Sequence, residues 1–207
     1  TEEPTDAPTE EPTDAPTDAP TEPDTEEPTE PETADPADPV WIVGAEQLNE
    51  LANVASASNT SAELKDGFIS LTAKGGDPWF MTAGNIGEMP KYLALRYRTN
   101  TNLNGEIFIG NGAGPEGGKS FVFSYNTDSE WNLLIFDLSV VAPYMTEATV
   151  GHMRYDFFVD VPAEGTFLDV AYMAFFNSPE YALAYDFEQN KAPHWTEATD
   201  KVKHQSF

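Results

Sequence analysis

The chain has 207 residues, no cysteine and a net charge of −26, because 36 acidic side chains outnumber 10 basic ones. Without cysteine it can form no disulfide, no thiolate metal site and no cysteine nucleophile. The acidic balance disfavours nucleic acids and anionic membrane surfaces, since both are bound through clustered Lys and Arg, and it favours a neutral ligand.

The first 39 residues differ in composition from the rest of the chain. They contain ten of the 17 prolines and no Lys, Arg or aromatic residue. Thr recurs at every fourth position from Thr1 to Thr33, in tetrads such as TEEP and TDAP. Such a segment cannot bury a core, and its regular prolines predict a disordered, extended linker of polyproline-II type. We interpret residues 1–39 as a stalk between modules; a solubilising tail is the alternative.

Residues 40–191 have the length of one domain and a pattern of short strands. Gly, Asn, Asp and Pro turns separate these strands at intervals of about a dozen residues, which is typical of an all-β antiparallel sandwich of the jelly-roll kind. The predicted strands lie at 40–43, in a hairpin at 64–73, and at 79–82, 92–99, 106–110, 120–125, 131–138, 152–159 and 167–176. One or two helical turns are predicted at 45–52, and a second short helix is predicted from Pro179. Because strands and helices do not alternate, a nucleotide-binding α/β sheet is disfavoured.

The most apolar stretch runs from 165 to 187. If 167–176 is a regular strand, Phe167, Ala171, Met173 and Phe175 face one side, and Leu168, Val170, Tyr172, Ala174 and Phe176 face the other. Since both sides are apolar, we expect this strand in the middle of a covered sheet. Ser178 and Pro179 then predict a helix start, and we expect this helix to close one end of the sheet.

The glycine-rich segment 110–120, GNGAGPEGGKS, contains a G-x-G-x-x-G pattern and ends like a phosphate loop. A true phosphate loop leads into a helix, whereas the strand sequence FVFSY follows here. We therefore interpret the segment as a hairpin loop at the rim of a ligand site.

Six segments follow one another along the domain in a distinctive order. They are DGFISLTAKGGDPWF, KYLALRYRTNT, GEIFIG, EWNLLIFDLS, GHMRYDFF and DVAYMAFFNSPEYALAY. In this order, which spans 40–190, the chain resembles the galactose-binding-like jelly-roll modules of bacterial surface glycan-handling proteins. The family-like patterns include a Trp-initiated strand that ends in Asp137, and the Arg-x-Asp of Arg154 and Asp156. The resemblance implies a noncatalytic carbohydrate-binding module, in some relatives with a structural calcium ion.

Catalytic and metal-binding patterns are sparse. His152, His194 and His204 are scattered, and neither a His-Glu-x-x-His pairing nor a Gly-x-Ser-x-Gly elbow is present. The strand carboxylates Asp137, Asp156 and Asp169 could form a hydrolytic pair, but turn capping, an Arg partner or calcium is the commoner use. We predict that the protein is not an enzyme.

Aromatic side chains point most directly to a function, because stacking on a sugar ring binds neutral glycans without charge. Trp79 follows a Gly-Gly-Asp-Pro turn and is either displayed there or packed in the core. Trp41 and Trp131 are predicted core residues, and Trp195 is expected to dock the exit chain. The six predicted ligand-binding residues are Trp79, Asp77, Asn111, Glu116, Tyr144 and His152.

The sequence therefore predicts an extracellular, secreted or surface-attached module that tethers a larger protein to a neutral oligo- or polysaccharide. The alternative is a structural or adhesive surface module that positions a neighbouring domain and has no sugar site. Residues 192–207 are expected to begin a following region. No signal peptide or membrane-spanning run is visible in the sequence, so membrane insertion is not expected.

Overall fold

A computed structural model of the protein describes residues 38–109, 120–127 and 129–190, with side chains up to 186. The predicted linker up to residue 37, the glycine-rich loop and the exit segment with His194, Trp195 and His204 lie outside these ranges. The strands within them are β1 Trp41–Gly44, β2 Thr60–Leu64, β3 Ile69–Ala73, β4 Trp79–Thr82, β5 Tyr92–Thr99, β6 Asn104–Ile109, β7 Ser120–Ser124, β8 Asn132–Asp137, β9 Met153–Asp156 and β10 Leu168–Phe176. The α-helices are α1 Ala45–Asn53 and α2 Pro179–Asn190. No helix in the described part is long and apolar enough to cross a membrane.

The strands form two antiparallel sheets. Sheet A has the order β2-β3-β10-β5-β8, with β1 also paired to β10, and sheet B has the order β4-β9-β6-β7. If β3 to β10 are renumbered 1 to 8, the order β3-β10-β5-β8 in sheet A becomes 1-8-3-6. The order β4-β9-β6-β7 in sheet B becomes 2-7-4-5. This alternation between sheets is the jelly-roll order. The predicted antiparallel sandwich with short helices is therefore confirmed.

The core lies between the inner faces of the two sheets and is rich in aromatic rings. Its fully buried aromatic side chains include Phe80, Phe121, Phe123, Phe136, Tyr155, Phe157, Phe158 and Phe175. The hydroxyls of Tyr125 and Tyr155 lie 2.6 Å apart, and the Tyr125 hydroxyl also donates to the carbonyl of Phe157 at 2.7 Å. Burial raises the pKa of both tyrosines. The polar atoms in this part of the core are therefore hydrogen-bonded and neutral.

Strand β10 lies in the middle of sheet A, as predicted from its two apolar sides. However, strict alternation along it is wrong, because the register with β5 shifts between Val170 and Tyr172. The extra residue, Ala171, forms a β-bulge, which turns all later side chains over. Leu168, Val170, Met173 and Phe175 consequently face the core, whereas Tyr172, Ala174 and Phe176 face outward.

Helix α2 covers the outer face of sheet A, so the expectation that it closes one end of the sheet is wrong. Ala182 is fully buried in a cluster with Ala94, Leu133, Ile135, Tyr172, Ala174 and Phe176. These outward side chains form an apolar patch that would otherwise face water, and the helix removes it from solvent. The predicted cap is present, since the hydroxyl of Ser178 accepts the backbone N–H of Tyr181 at 3.2 Å.

A buried ion pair fixes α2 to the sheet. Arg96 of β5 pairs with Asp186 of α2, and their side chains are 2% and 0% exposed. The hydroxyl of Tyr172 donates to the other oxygen of Asp186 at 2.7 Å. Burial raises the pKa of Tyr172, and the negative charge of Asp186 raises it further. The helix is thus held by charge and hydrogen bonds as well as by apolar contact.

Candidate ligand-binding site

The outer face of sheet B, which points away from the core, combines aromatic and charged side chains. The register places Trp79, Asp156 and Glu106 next to one another across β4, β9 and β6. Two residues further along, Met81, Arg154 and Phe108 form a second row. Directly opposed residues of antiparallel strands are within about 5.5 Å of each other, so the two rows are one continuous surface. We call these six residues the sheet B face.

Arg154 is the centre of the sheet B face and is held from several sides. Its Nε and Nη2 donate to the two carboxylate oxygens of Asp156, each at 2.7 Å, and Nη2 also donates to Asp77 at 2.9 Å. The guanidinium lies 4.7 Å from the ring centroid of Trp79 and 5.5 Å from that of Phe108. Its remaining nitrogen, Nη1, donates to none of the described residues. A bidentate pair and two cation–π contacts therefore present a rigidly oriented donor.

Negative charge exceeds positive charge around Arg154. Asp77, Asp156 and Glu106 carry three carboxylates against one guanidinium, and the hydroxyl of Ser120 donates to Glu106. Burial raises the pKa of Asp156 to about 6, although Arg154 acts in the opposite direction, and the charges of Asp77 and Glu106 raise it further. The site thus carries an excess of negative charge at neutral pH and disfavours an anionic ligand.

Of the two positions expected for Trp79, the structure excludes the core. Trp79 is the first residue of β4, half-buried, with its ring on the outer face of sheet B rather than in the core. Its backbone is fixed by a bridge to Ser58, with N–H···O distances of 2.9 and 3.0 Å. The indole is therefore presented by a strand and not by a free loop.

The structure brings together two of the six predicted ligand-binding residues, Asp77 and Trp79, through Arg154. His152 precedes β9 at the opposite end of sheet B, because β9 starts at Met153 opposite Thr82 and ends at Asp156 opposite Trp79. Tyr144 is 48% exposed in a 3₁₀ turn on the connection from β8 to β9. Asn111 and Glu116 lie outside the described residues. A role of Tyr144 or His152 in binding stays a prediction.

The sequence reading missed Met81, Glu106 and Phe108 as neighbours of Trp79. Alternation in GEIFIG could have placed Glu106 and Phe108 on one side of a strand. Which strand lies beside β6 is decided by long-range pairing, which the local pattern does not encode.

The strand carboxylates have structural partners. Asp137 accepts the backbone N–H of Ser139 at 2.8 Å, so of the uses left open for these carboxylates it has a capping role. Asp169 pairs with the Nε of Arg98 at 2.8 Å. Within the described ranges no group of three or more His, Cys, Asp or Glu side chains is arranged to hold a metal ion. Structural calcium stays a prediction, which a rise in Tm on adding calcium chloride to chelator-treated protein would support.

The remaining described tryptophans have different surroundings. Trp41 packs in the core with its ring stacked 5.8 Å from Phe175, as expected. Trp131 was predicted to be a core residue because Leu133 and Ile135 share its side, and this prediction is wrong. That side is the outer face of sheet A, where Trp131 is half-buried against Phe68.

Several solved structures are similar to this chain. BiXyn10A CBM1 in its apo form has 13% sequence identity and a TM-score of 0.41, over 68% of this chain and 99% of that one. A variant of the family 29 carbohydrate-binding module CBM29-2 has 11% identity and a TM-score of 0.45, over 72% of this chain and 97% of that one. PfGH50B has 7% identity and a TM-score of 0.45, over 60% of this chain and 22% of that one. No protein-family model and no curated protein sequence matches the chain.

Proposed function

We propose that the domain is a noncatalytic carbohydrate-binding module and that a neutral glycan binds on the sheet B face. The observation that carries this proposal is the strand-mounted Trp79 beside the clamped guanidinium of Arg154. An aromatic ring next to fixed polar groups suits a ligand that has apolar C–H faces and many hydroxyls, and a pyranose ring has both.

Each group of the face has a role in such binding. The indole of Trp79 stacks against the C–H face of the sugar. Nη1 of Arg154 donates a hydrogen bond to a ring hydroxyl, and the carboxylates of Asp77 and Glu106 accept hydrogen bonds from others. Because Arg154 is already ordered by Asp156, little side-chain entropy is lost when it engages the ligand.

The charge of the face selects for neutral sugars. A uronic acid or a sulfated sugar would bring its anion next to three carboxylates and one guanidinium. Like-charge contacts of this kind cost affinity, and they slow association at low salt. We infer a preference for neutral oligo- or polysaccharides.

The acidic Thr/Pro-rich segment supports a role within a larger protein. A linker of this composition keeps modules apart by charge repulsion and chain stiffness. In this proposal the domain tethers neighbouring domains of a secreted or cell-surface protein to glycans outside the cell.

Isothermal titration calorimetry against a panel of neutral and acidic oligosaccharides tests the proposal. We expect at least one neutral glycan to bind and its acidic counterpart to bind more weakly. Trp79→Ala should weaken binding roughly tenfold or more, which is about 1.4 kcal/mol or more. Leu64→Ala is the control, because Leu64 is 43% exposed and lies on β2, at the edge of sheet A and away from the sheet B face. Circular dichroism should show that both variants remain folded.

Three outcomes would contradict the proposal. If the wild-type protein bound none of the glycans in the panel, the structural or adhesive alternative would be favoured. Release of new reducing ends from a bound glycan would show that the domain is an enzyme. Equal affinities of wild type and Trp79→Ala would place any binding away from the sheet B face.

A further inference from the structure

A groove lies on the outer face of sheet A, beside α2 and on the opposite side of the sandwich from the sheet B face. Its volume is about 450 Å³, and the residues around it include Phe68, Trp131, Tyr172, Tyr185 and Asp66. We propose that this groove is a second binding site, which takes a single neutral sugar ring independently of the sheet B face. Its volume falls within the range of roughly 300–1,000 Å³ that is typical of small-ligand pockets.

The aromatic wall of the groove is rigid. The rings of Phe68 and Trp131 meet edge to face with centroids 5.4 Å apart. The guanidinium of Arg98 lies 4.8 Å from the Phe68 ring and 4.9 Å from the Trp131 ring, and Asp169 holds it at 2.8 Å. These side chains come from the β2–β3 hairpin, β5, the residue before β8, and β10, so four segments of the chain fix the platform. A fixed, half-buried aromatic platform is what stacking on a sugar ring needs.

The charges around the groove favour a neutral ligand over a cation. An aromatic-lined pocket with a carboxylate could in principle bind a quaternary ammonium group. Here the guanidinium groups of Arg98 and Arg96 already lie 4.9 and 5.5 Å from the Trp131 ring centroid. A second cation near the same ring would meet their repulsion.

The same charges disfavour an anion. Arg98 is paired with Asp169, and Arg96 is paired with Asp186, so neither offers an uncompensated positive charge. Asp66, at the tip of the β2–β3 hairpin, is exposed, and its carboxylate has no partner among the described residues. It is free to accept hydrogen bonds from hydroxyl groups, which a sugar supplies.

Glycine keeps the groove open. A Cβ atom built on Gly44 would meet nothing within 4 Å. The backbone of Gly44 is in the ordinary extended region, with φ −81° and ψ 177°, so a side chain there introduces no backbone strain. Gly44→Leu should therefore fill the groove without disturbing the fold.

The test uses the Trp79→Ala protein, in which the sheet B face is disabled, and follows tryptophan indole N–H signals by NMR. The probes are the methyl glycosides of glucose, galactose, mannose and xylose, with tetramethylammonium as the cationic comparison. We expect at least one glycoside to shift the Trp131 indole signal saturably. Adding Gly44→Leu should weaken that binding tenfold or more, whereas Gly44→Ala should retain most of it.

Three results would overturn the inference. The Trp131 signal could stay unmoved by all four glycosides, or the affinity could be the same with leucine at position 44. Tetramethylammonium could also shift the signal where no glycoside does, which would make the groove a cation site. Because the Trp79→Ala background isolates the groove, each result is distinguishable from failure of binding at the sheet B face.

Discussion

Asp186 is the residue of α2 whose replacement we expect to destabilise the domain most. In Asp186→Ala, the guanidinium of Arg96 stays buried without its counter-ion, and the hydroxyl of Tyr172 loses the acceptor that it holds at 2.7 Å. Since the two charged side chains are 2% and 0% exposed, water cannot replace the lost partner unless α2 moves away. Either outcome removes stabilisation from the outer face of sheet A.

The magnitude follows from this burial. Breaking a buried ion pair by removing one partner costs about 3–5 kcal/mol, which is a large share of the roughly 5–15 kcal/mol that stabilises a typical domain. For a domain of this size we expect Tm to fall by roughly 10 °C. Arg96→Met with Asp186→Leu removes both charges together, so no charge is left buried and at least half of the loss should be recovered.

Urea unfolding followed by tryptophan fluorescence gives the free energy of unfolding for each variant. Glu180→Ala is the control on the same helix, because Glu180 is exposed and its replacement should cost less than about 1 kcal/mol. The reasoning would be refuted if Asp186→Ala changed the free energy of unfolding by less than about 1 kcal/mol. It would also be refuted if the double variant were as unstable as Asp186→Ala alone.

Three further predictions concern the core and the sheet B face. The folded pKa of Asp156, about 6, lies above its ordinary value of 3.8, so ionisation is penalised in the folded state. The contribution of Asp156 to the free energy of unfolding should therefore rise by up to about 3 kcal/mol as the pH falls from 7 to 4, and Asp156→Asn should lack this contribution. Gly151→Ala should cost about 1–3 kcal/mol, since the new Cβ would lie 2.5 Å from the carbonyl oxygen of Gly84. Tyr155→Phe should cost about 1 kcal/mol, because it removes the 2.6 Å hydrogen bond to Tyr125. Urea unfolding measures all three effects.

Each of these predictions has a comparison that can contradict it. If the free energy of unfolding changed with pH in the same way in wild type and in Asp156→Asn, the prediction for Asp156 would be contradicted. The carboxyl would then have the same pKa in the folded and unfolded chain. Gly44→Ala is the control for Gly151→Ala, because its Cβ meets nothing within 4 Å. Tyr92→Phe is the control for Tyr155→Phe, since Tyr92 is only half-buried and its hydroxyl makes no hydrogen bond to the described residues. Equal losses in a variant and its control would contradict the steric argument for Gly151 or the hydrogen-bond argument for Tyr155.

Most strands were predictable because alternation of apolar and polar residues is local. The segment Trp79–Thr82 and the segment Tyr92–Thr99 were expected with the bounds that the structure shows. The hairpin around Gly67 was also expected, and its turn is closed by a 2.8 Å bond from the N–H of Lys65 to the carbonyl of Phe68. Turn chemistry and period-two patterns need no knowledge of distant residues.

The errors arose where a side chain's surroundings depend on long-range pairing. Alternation showed that Trp131, Leu133 and Ile135 share a side, but it did not show whether that side faces the core or α2. The bulge at Ala171 depends on the register between β10 and β5, so it could not be read from an apolar run.

The sequence by itself determined the strand pattern, the acidic Thr/Pro-rich composition of the first 39 residues and the exclusion of cysteine chemistry. Only the tertiary structure decided that Trp79, Glu106 and Arg154 meet on one face and that Phe68 and Trp131 line another. The physical reason is that alternation defines two faces for each strand. Which side chains become neighbours on a face depends on pairing between strands that are distant in the chain.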